Sequence, residues 1–338
     1  MRCPRLNELS GVPEGKRGWP WTEESTPLPS CMADGKEWPR ITIVTPSFNQ
    51  GQFLEETIRS VLLQGYPNLE YFVLDGGSKD NSIEIIKKYS PWLSYWVSEP
   101  DGGQSEAINR GLTGGSGEFA TWINSDDLLS KNALTTHASY VGFDSKTVYV
   151  GNCTYIDQAG QQTSVHRGRI FSLEDLLRIS TVWRAAESRG HIDQPAVLFP
   201  RVLACSVGGL NIFNHYTMDY EFWGELFLGG ARFQYTNISF GMFREHCAQK
   251  THDMLRQTQS LLETATELTK RAGFLSDQSR NEILADLDAY GVTFRKAYWK
   301  GTGRLASMGL PRFIVTPVRN LRLLLHRALK VSESQQAK

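Results

Sequence analysis

The chain has 338 residues, of which 36 are Lys or Arg and 36 are Asp or Glu. That length and an ordinary globular composition point to one large domain, or one domain with appendages. Zero formal charge gives no global case for a nucleic-acid partner, and no apolar run reaches the ~18 residues needed to span a bilayer. The five cysteines, Cys3, Cys31, Cys153, Cys205 and Cys247, form no CxxC pair or Cys/His cluster, which fits a reducing compartment. No signal-peptide pattern follows Met1, so a cytoplasmic location is expected.

Residues 1–39 are rich in Pro, Gly and Trp and show no period. They read as an arm packed over the first domain, with Trp19 and Trp21 alternatively touching an acceptor. Ile41 to Thr45 is a β-branched strand ended by Pro46. Phe53, Leu54, Ile58, Val61 and Leu62 then recur at helical spacing, and Gly65-Tyr66-Pro67 stops that helix. Leu69 to Leu74 is a second strand ending in Asp75-Gly76-Gly77-Ser78. Ser82 to Tyr89 reads as a helix, Leu93 to Val97 as a third strand, and Glu106 to Leu112 as a short helix. A fourth strand, Phe119 to Ile123, delivers Asn124-Ser125-Asp126-Asp127 to its end. Alternating strands and helices with short connections predict a parallel, helix-covered α/β sheet whose polar loops gather at one mouth. Adjacent carboxylates repel, and Mg²⁺ or Mn²⁺ arriving with a phosphate-bearing substrate would relieve them. A capped turn is the plainer reading of the same tetrad. Neither G-x-G-x-x-G nor a P-loop follows the first strand, so those nucleotide folds are excluded.

From about residue 147 the pattern loosens. Thr147–Val150 and Thr154–Ile156 read as strands, Leu173 to Ile179 as a short helix, and Gln194 to Phe199 as a strand entering a helix near Val202. Gly208-Gly209 marks a tight turn. Met218-Asp219-Tyr220-Glu221-Phe222-Trp223 opens another helix, where acids in the first turn also suit the helix dipole. Arg232 to Phe243 reads as one or two closing strands before Arg244-Glu245-His246. Residues 253–290 carry helical periods. Beyond 295 the basic residues face a single acid, Glu333. The segment 318–331 is amphipathic, with Arg319, Arg322, His326 and Lys330 on one stripe. It fits peripheral contact with an anionic membrane or a terminal helix docked on the core. Residues 332–338 read as a frayed tail.

Several of these segments, in order, resemble family 2 glycosyltransferases of the GT-A fold. They are Thr45-Pro46-Ser47-Phe48-Asn49, Asp75-Gly76-Gly77-Ser78-Lys79-Asp80, Ser98-Glu99-Pro100-Asp101-Gly102-Gly103-Gln104 and Ala107-Ile108-Asn109-Arg110-Gly111. Asn124-Ser125-Asp126-Asp127 sits where that family carries its D-x-D-type metal motif. The resemblance implies a GT-A domain over 40–250, with a nucleotide-sugar half at 40–128, an acceptor half at 129–250 and a helical extension at 251–331. It implies an inverting transfer from a nucleotide-diphosphate sugar, UDP being the commonest form, to a saccharide or lipid-linked glycan in surface polysaccharide assembly. By similarity, Thr45, Pro46 and Asp75 hold the base, Asp101 and Arg110 lie along the nucleotide, Asp126 serves ribose or metal, and Asp127 binds the metal. His246 resembles a histidine that reaches the metal, Mn²⁺ or Mg²⁺. Asp219 falls at the catalytic base, but Met218 replaces the usual Glu there, which leaves Glu221 as the alternative. Gln194, Gly209 and Trp223 are expected to shape the acceptor pocket. A non-catalytic sugar-nucleotide binder is the competing reading, and it predicts loss of the acidic pair or of the base.

Overall fold

The computed structural model describes residues 3–9, 11–182, 190–247, 249 and 253–300. The basic segment 318–331 and the tail therefore lie outside the described residues. In chain order the first half runs β1 (Ile41–Ser47), α1 (Gly51–Leu62), β2 (Leu69–Asp75), α2 (Ser82–Tyr89), β3 (Tyr95–Ser98), α3 (Gln104–Gly114) and β4 (Phe119–Trp122). Next come β5 (Leu128–Leu129), α4 (Ala133–Tyr140), β6 (Thr147–Ile156), β7 (Gln162–His166), α5 (Leu173–Leu177) and α6 (Ile179–Val182). The remainder is β8 (Val197–Pro200), α7 (Arg201–Ser206), α8 (Met218–Leu228), β9 (Arg232–Arg244), α9 (Met254–Arg271) and α10 (Asp277–Lys300).

Among the described residues nine strands form one sheet in the order β3-β2-β1-β4-β8-β6-β9-β5, with β7 added beside β6. Strands β3, β2, β1 and β4 are all parallel, as the alternating pattern predicts. Beyond β4 the sheet becomes mixed. β8 runs antiparallel to both β4 and β6, whereas β9 runs parallel to β6. The two segments read separately at 147–150 and 154–156 are one strand, β6, whose pairing with β9 shifts register around Asn152.

Period-2 alternation in β1 sets the layers. Ile41 and Ile43 pack in one core cluster with Leu54, Ile58, Val61 and Leu62 of α1. Thr42 and Val44 face the other way, where α3 lies. A methyl group on Gly111 of α3 would stand 2.6 Å from both Val44 γ-carbons. Helices therefore cover both faces, and α3 sits so close that only glycine fits at 111.

The chain separates into two compact units, one of residues 1–173 with 192–246 and one of 174–191 with 247–338. The first contains the whole sheet. In the second, Arg178 pairs with Glu174 and Glu282, and Asp286 accepts from the Ser180 amide at 3.1 Å. No helix among the described residues is long and apolar enough to cross a membrane.

Candidate active site

Strands β1, β2, β3 and β4 end together, and their loops are stitched to one another. Asn49, in the left-handed conformation (φ 52°) that asparagine tolerates, donates its amide to Ser78 Oγ at 2.7 Å. Its own Oδ1 accepts from the Lys79 amide at 2.8 Å. Asp75, 1% exposed, accepts from Gly77 N, Ser78 N, Ser78 Oγ and Ser98 Oγ. Four donors occupy the roughly four acceptor positions of a carboxylate, so Asp75 organises its loop, and a base could bond to it only if a serine hydroxyl turned away. Asp101 is exposed, accepts from Gly103 N at 2.8 Å, and lies over Gly76. Arg110 pairs with Glu99 and donates to Tyr95 Oη at 3.1 Å. Thr45 and Pro46 are buried within the sheet, and Thr45 Oγ1 meets Tyr71 Oη at 3.0 Å. Phe48, 61% exposed, is the first side chain of that loop to reach solvent.

The tetrad after β4 is held from four directions. Thr57 of α1 sets its hydroxyl within 2.9 Å of Ser125 O and 2.8 Å of Asp127 O. Arg244, at the end of β9, donates its backbone N–H to Asp127 Oδ1 (2.9 Å) and its Nε to Asp126 O (2.9 Å). Gln104 at the start of α3 donates to Asn124 Oδ1 at 2.7 Å. Asn124 Nδ2 in turn reaches Asp127 Oδ2 at 3.2 Å and Gln194 Oε1 at 3.3 Å. Gln194 closes the ring by donating to Trp122 O at 2.6 Å.

The two carboxylates are thereby given different environments. Asp127 is 1% exposed and turned into the protein; burial, and next the charge of Asp126, push its carboxyl well above the usual range. Asp126 keeps 15% side-chain exposure, and its Oδ2 lies 2.9 Å from His246 Nε2. Asp127, expected to be the firmer metal ligand, has its two oxygens hydrogen-bonded to the Arg244 backbone N–H and to Asn124 Nδ2, and Asp126 is the more exposed of the pair. Asp126, Asp127 and His246 do not converge as a three-ligand cluster. Asp126 Oδ2 and His246 Nε2, hydrogen-bonded to each other here, offer one oxygen and one nitrogen ligand atom at a spacing compatible with a shared divalent ion. Two ligands at 2.0–2.1 Å and right angles stand about 3 Å apart, close to the separation present.

Helix α8 presents Asp219 and Glu221 in its first turn. Glu221 is occupied: Asn211 Nδ2 donates to both its oxygens (3.0 and 3.2 Å) and Asn214 Nδ2 to Oε2 (2.7 Å). Asp219 is half-buried, and its Oδ1 accepts from the Tyr220 amide at 2.8 Å. Met218, the departure from the family motif, points inward, where Ser105 Oγ of α3 donates to its sulfur at 2.8 Å. Gly209 is required by packing, since its φ is +71° and Asn109 grips Leu210 N and O at 2.8 and 2.7 Å. Trp223 does not line an acceptor pocket. It is 1% exposed and stacked on Trp122 at 5.7 Å between ring centroids. The aromatic run of α8 forms core, with Phe222 also against Trp122.

A parallel half joined to a mixed half in one sheet, with acids at the strand ends, is the arrangement of the GT-A fold. Solved structures of similar fold include S. aureus TarS in complex with UDP-GlcNAc, at 17% identity, TM-score 0.55 and coverage of 73% of this chain and 71% of that one. Another is the mannosyltransferase PcManGT from Pyrobaculum calidifontis in complex with GDP-Man and Mn²⁺, at 20% identity, TM-score 0.53 and coverage of 88% and 84%. A curated relative, an uncharacterised glycosyltransferase of Rickettsia typhi, is 28% identical over 265 residues, covering 76% of this chain and 80% of the relative. The model of glycosyl transferase family 2 matches residues 42–207, and the chain belongs to that family and is a glycosyltransferase.

Proposed function

We propose that the protein moves a sugar, with inversion, from a nucleoside-diphosphate sugar to a hydroxyl of a saccharide or lipid-linked glycan. The observation that carries this reading is the Asp126–His246 pair, 2.9 Å apart and partly open, at the strand ends that also carry Asp75 and Asp101. A divalent cation held there would neutralise charge developing on the leaving diphosphate; PcManGT was solved with Mn²⁺. The donor base lies along the loops of Phe48 and Asp75, with Asp101 and the α3 entry beside the diphosphate. Arg110 can add positive charge to the nucleotide on release from Glu99. Asp219 is the base: it takes the proton of the acceptor hydroxyl as that oxygen attacks C1 opposite the diphosphate. Glu221 is assigned to the neighbouring loop, because three amide hydrogen bonds already hold it.

A cytoplasmic protein, peripheral at the inner face of a membrane through 318–331 and serving surface polysaccharide assembly, fits this chemistry. The deciding experiment is titration with UDP, GDP and dTDP, each with and without Mn²⁺, followed by turnover of the matching sugars. Binding strengthened by Mn²⁺ in the wild type but not in His246→Ala supports the site. Absence of binding by any nucleoside diphosphate refutes it.

A further inference from the structure

The loop joining α7 to α8 carries an exposed aromatic on an unusually fixed frame. Phe213 is 84% exposed and Ile212 is 41% exposed. Around them the backbone is tied at Leu210, Asn211, Phe213, Asn214 and Thr217. Asn109 grips Leu210 through both N and O. Asn211 Oδ1 accepts from the Phe213 amide at 3.0 Å, and its Nδ2 donates to Glu221. The Asn214 amide donates to Asn211 O at 3.2 Å. Asn214 Oδ1 accepts from Thr217 N at 3.0 Å, and its Nδ2 donates to Glu221 at 2.7 Å. Asn214 thus binds residues on both sides of Asp219 in the sequence.

A phenyl ring held in water by so many hydrogen bonds is organised to meet a ligand, since rigid aromatic surface binds with little loss of conformational entropy. The local charge narrows the ligand. Between Arg201 and Arg232 the sequence has no Lys or Arg but carries Asp219, Glu221 and Glu225. Such a stretch supplies no Lys or Arg of its own to pair with carboxylated or phosphorylated sugars or with an anionic lipid surface. The apolar face of an uncharged sugar ring, with asparagine amides alongside for its hydroxyls, matches both features.

We propose that residues 209–217 form a preformed acceptor-binding element in which Phe213 stacks against a neutral sugar ring of the acceptor. Glu221 is its positioning residue. This assignment rests on Asp219 being the base of the reaction proposed above, and its test does not require turnover. Saturation-transfer NMR on the full chain with methyl glycosides of neutral hexoses and of hexuronic acids reads acceptor binding directly. Melting temperature checks the fold of each variant, and nucleoside-diphosphate titration separately tests the donor site. Neutral glycosides are expected to bind and hexuronic acids not. Phe213→Ala is expected to weaken binding about ten-fold, the scale of an aromatic contact worth roughly 1.4 kcal/mol, and Phe213→Trp to restore it. Glu221→Gln, which keeps the volume but cannot accept at both oxygens, is expected to weaken binding less than Phe213→Ala does. Equal binding by wild type and Phe213→Ala, binding of hexuronic acids in preference, or no sugar binding at all overturns the proposal. Loss of sedimentation with phosphatidylglycerol vesicles in Phe213→Ala, with sugar binding unchanged, would assign the tip to a membrane and overturn it equally.

Discussion

At the scale of single residues, the acids of the site differ in burial and in the donors that meet them. Asp75 accepts four internal hydrogen bonds and Glu221 three, Asp127 is buried, and Asp126 and Asp219 retain partial exposure. Asp219→Asn should therefore lower kcat by about 10²–10⁴, the usual contribution of a general base, with little change in donor affinity. Glu221→Gln should act mainly through acceptor KM. Steady-state kinetics with both substrates varied distinguishes the two, and a kcat loss larger in Glu221→Gln would exchange their roles. The identity of these acids was legible in the sequence, because runs such as Asn124-Ser125-Asp126-Asp127 are local. Their division of labour was not. It depends on which donors each acid meets: Arg244, 117 residues away, for Asp127, and for Glu221 the side chains of Asn211 and Asn214, whose direction no periodic pattern gives. Met218 shows the same limit, since the contact that makes a thioether acceptable is to Ser105 of another helix.

At the scale of elements, the first half was readable and the second only partly so. β1 and β2 are short, nearly continuous buried runs rich in β-branched and aromatic residues, and α1 and α2 follow the helical period. α4 escaped because Ala133–Tyr140 has little amphipathic pattern and includes two threonines, a serine and a histidine. β5 is two residues long, and β7 is polar and exposed. α4 also carries a pH dependence. His137 is 1% exposed and packed against Phe143, Tyr149 and Phe240, and both its ring nitrogens are buried without partners. Burial pushes its pKa down to about 4. The unfolded chain, with an ordinary value near 6.5, binds a proton at a pH where the folded protein does not. Stability from this group is therefore complete above pH ~6.5 and is lost as pH falls toward 4, by about 3 kcal/mol at most. Denaturant unfolding from pH 7.5 to 4.5 should show a shallower loss in His137→Phe than in wild type. Parallel curves would remove His137 as the cause. A steric prediction belongs to α3. Gly111→Ala would drive a methyl into Val44, and its cost should fall when Val44→Ala is added, as a double-mutant cycle measures.

At the scale of the whole molecule, the arm that the sequence reads as packed over the first domain makes specific contacts with α1 and with the segment after the acidic tetrad. Residues 18–28 lie across α1 and reach the segment that follows the acidic tetrad. Trp19 Nε1 donates to Leu129 O at 2.9 Å, and the Ser25 and Leu28 amides donate to Leu63 O and Gly65 O at 3.0 Å each. The arm passes so near Gly65, whose φ is +66°, that a methyl there would stand 2.8 Å from Pro27 Cα. Its anchor is Arg59 of α1, fully buried, which donates to Pro20 O and Trp21 O at 3.1 Å each and to Tyr89 Oη at 3.1 Å, with Trp21 over the guanidinium. This argues against Trp21 as an acceptor contact, since it is 4% exposed and turned onto Arg59. Arg59→Met would keep the volume but leave two carbonyls without these donors, at about 1–3 kcal/mol each. Stability should fall by roughly 2–4 kcal/mol. Hydrogen exchange should rise at residues 18–28 and, through Trp19 and Leu129, in the segment following Asp126 and Asp127. Donor affinity should weaken as a consequence, although Arg59 touches no substrate. If exchange rises only in the arm, with nucleotide binding unchanged, the arm covers the domain without supporting its site.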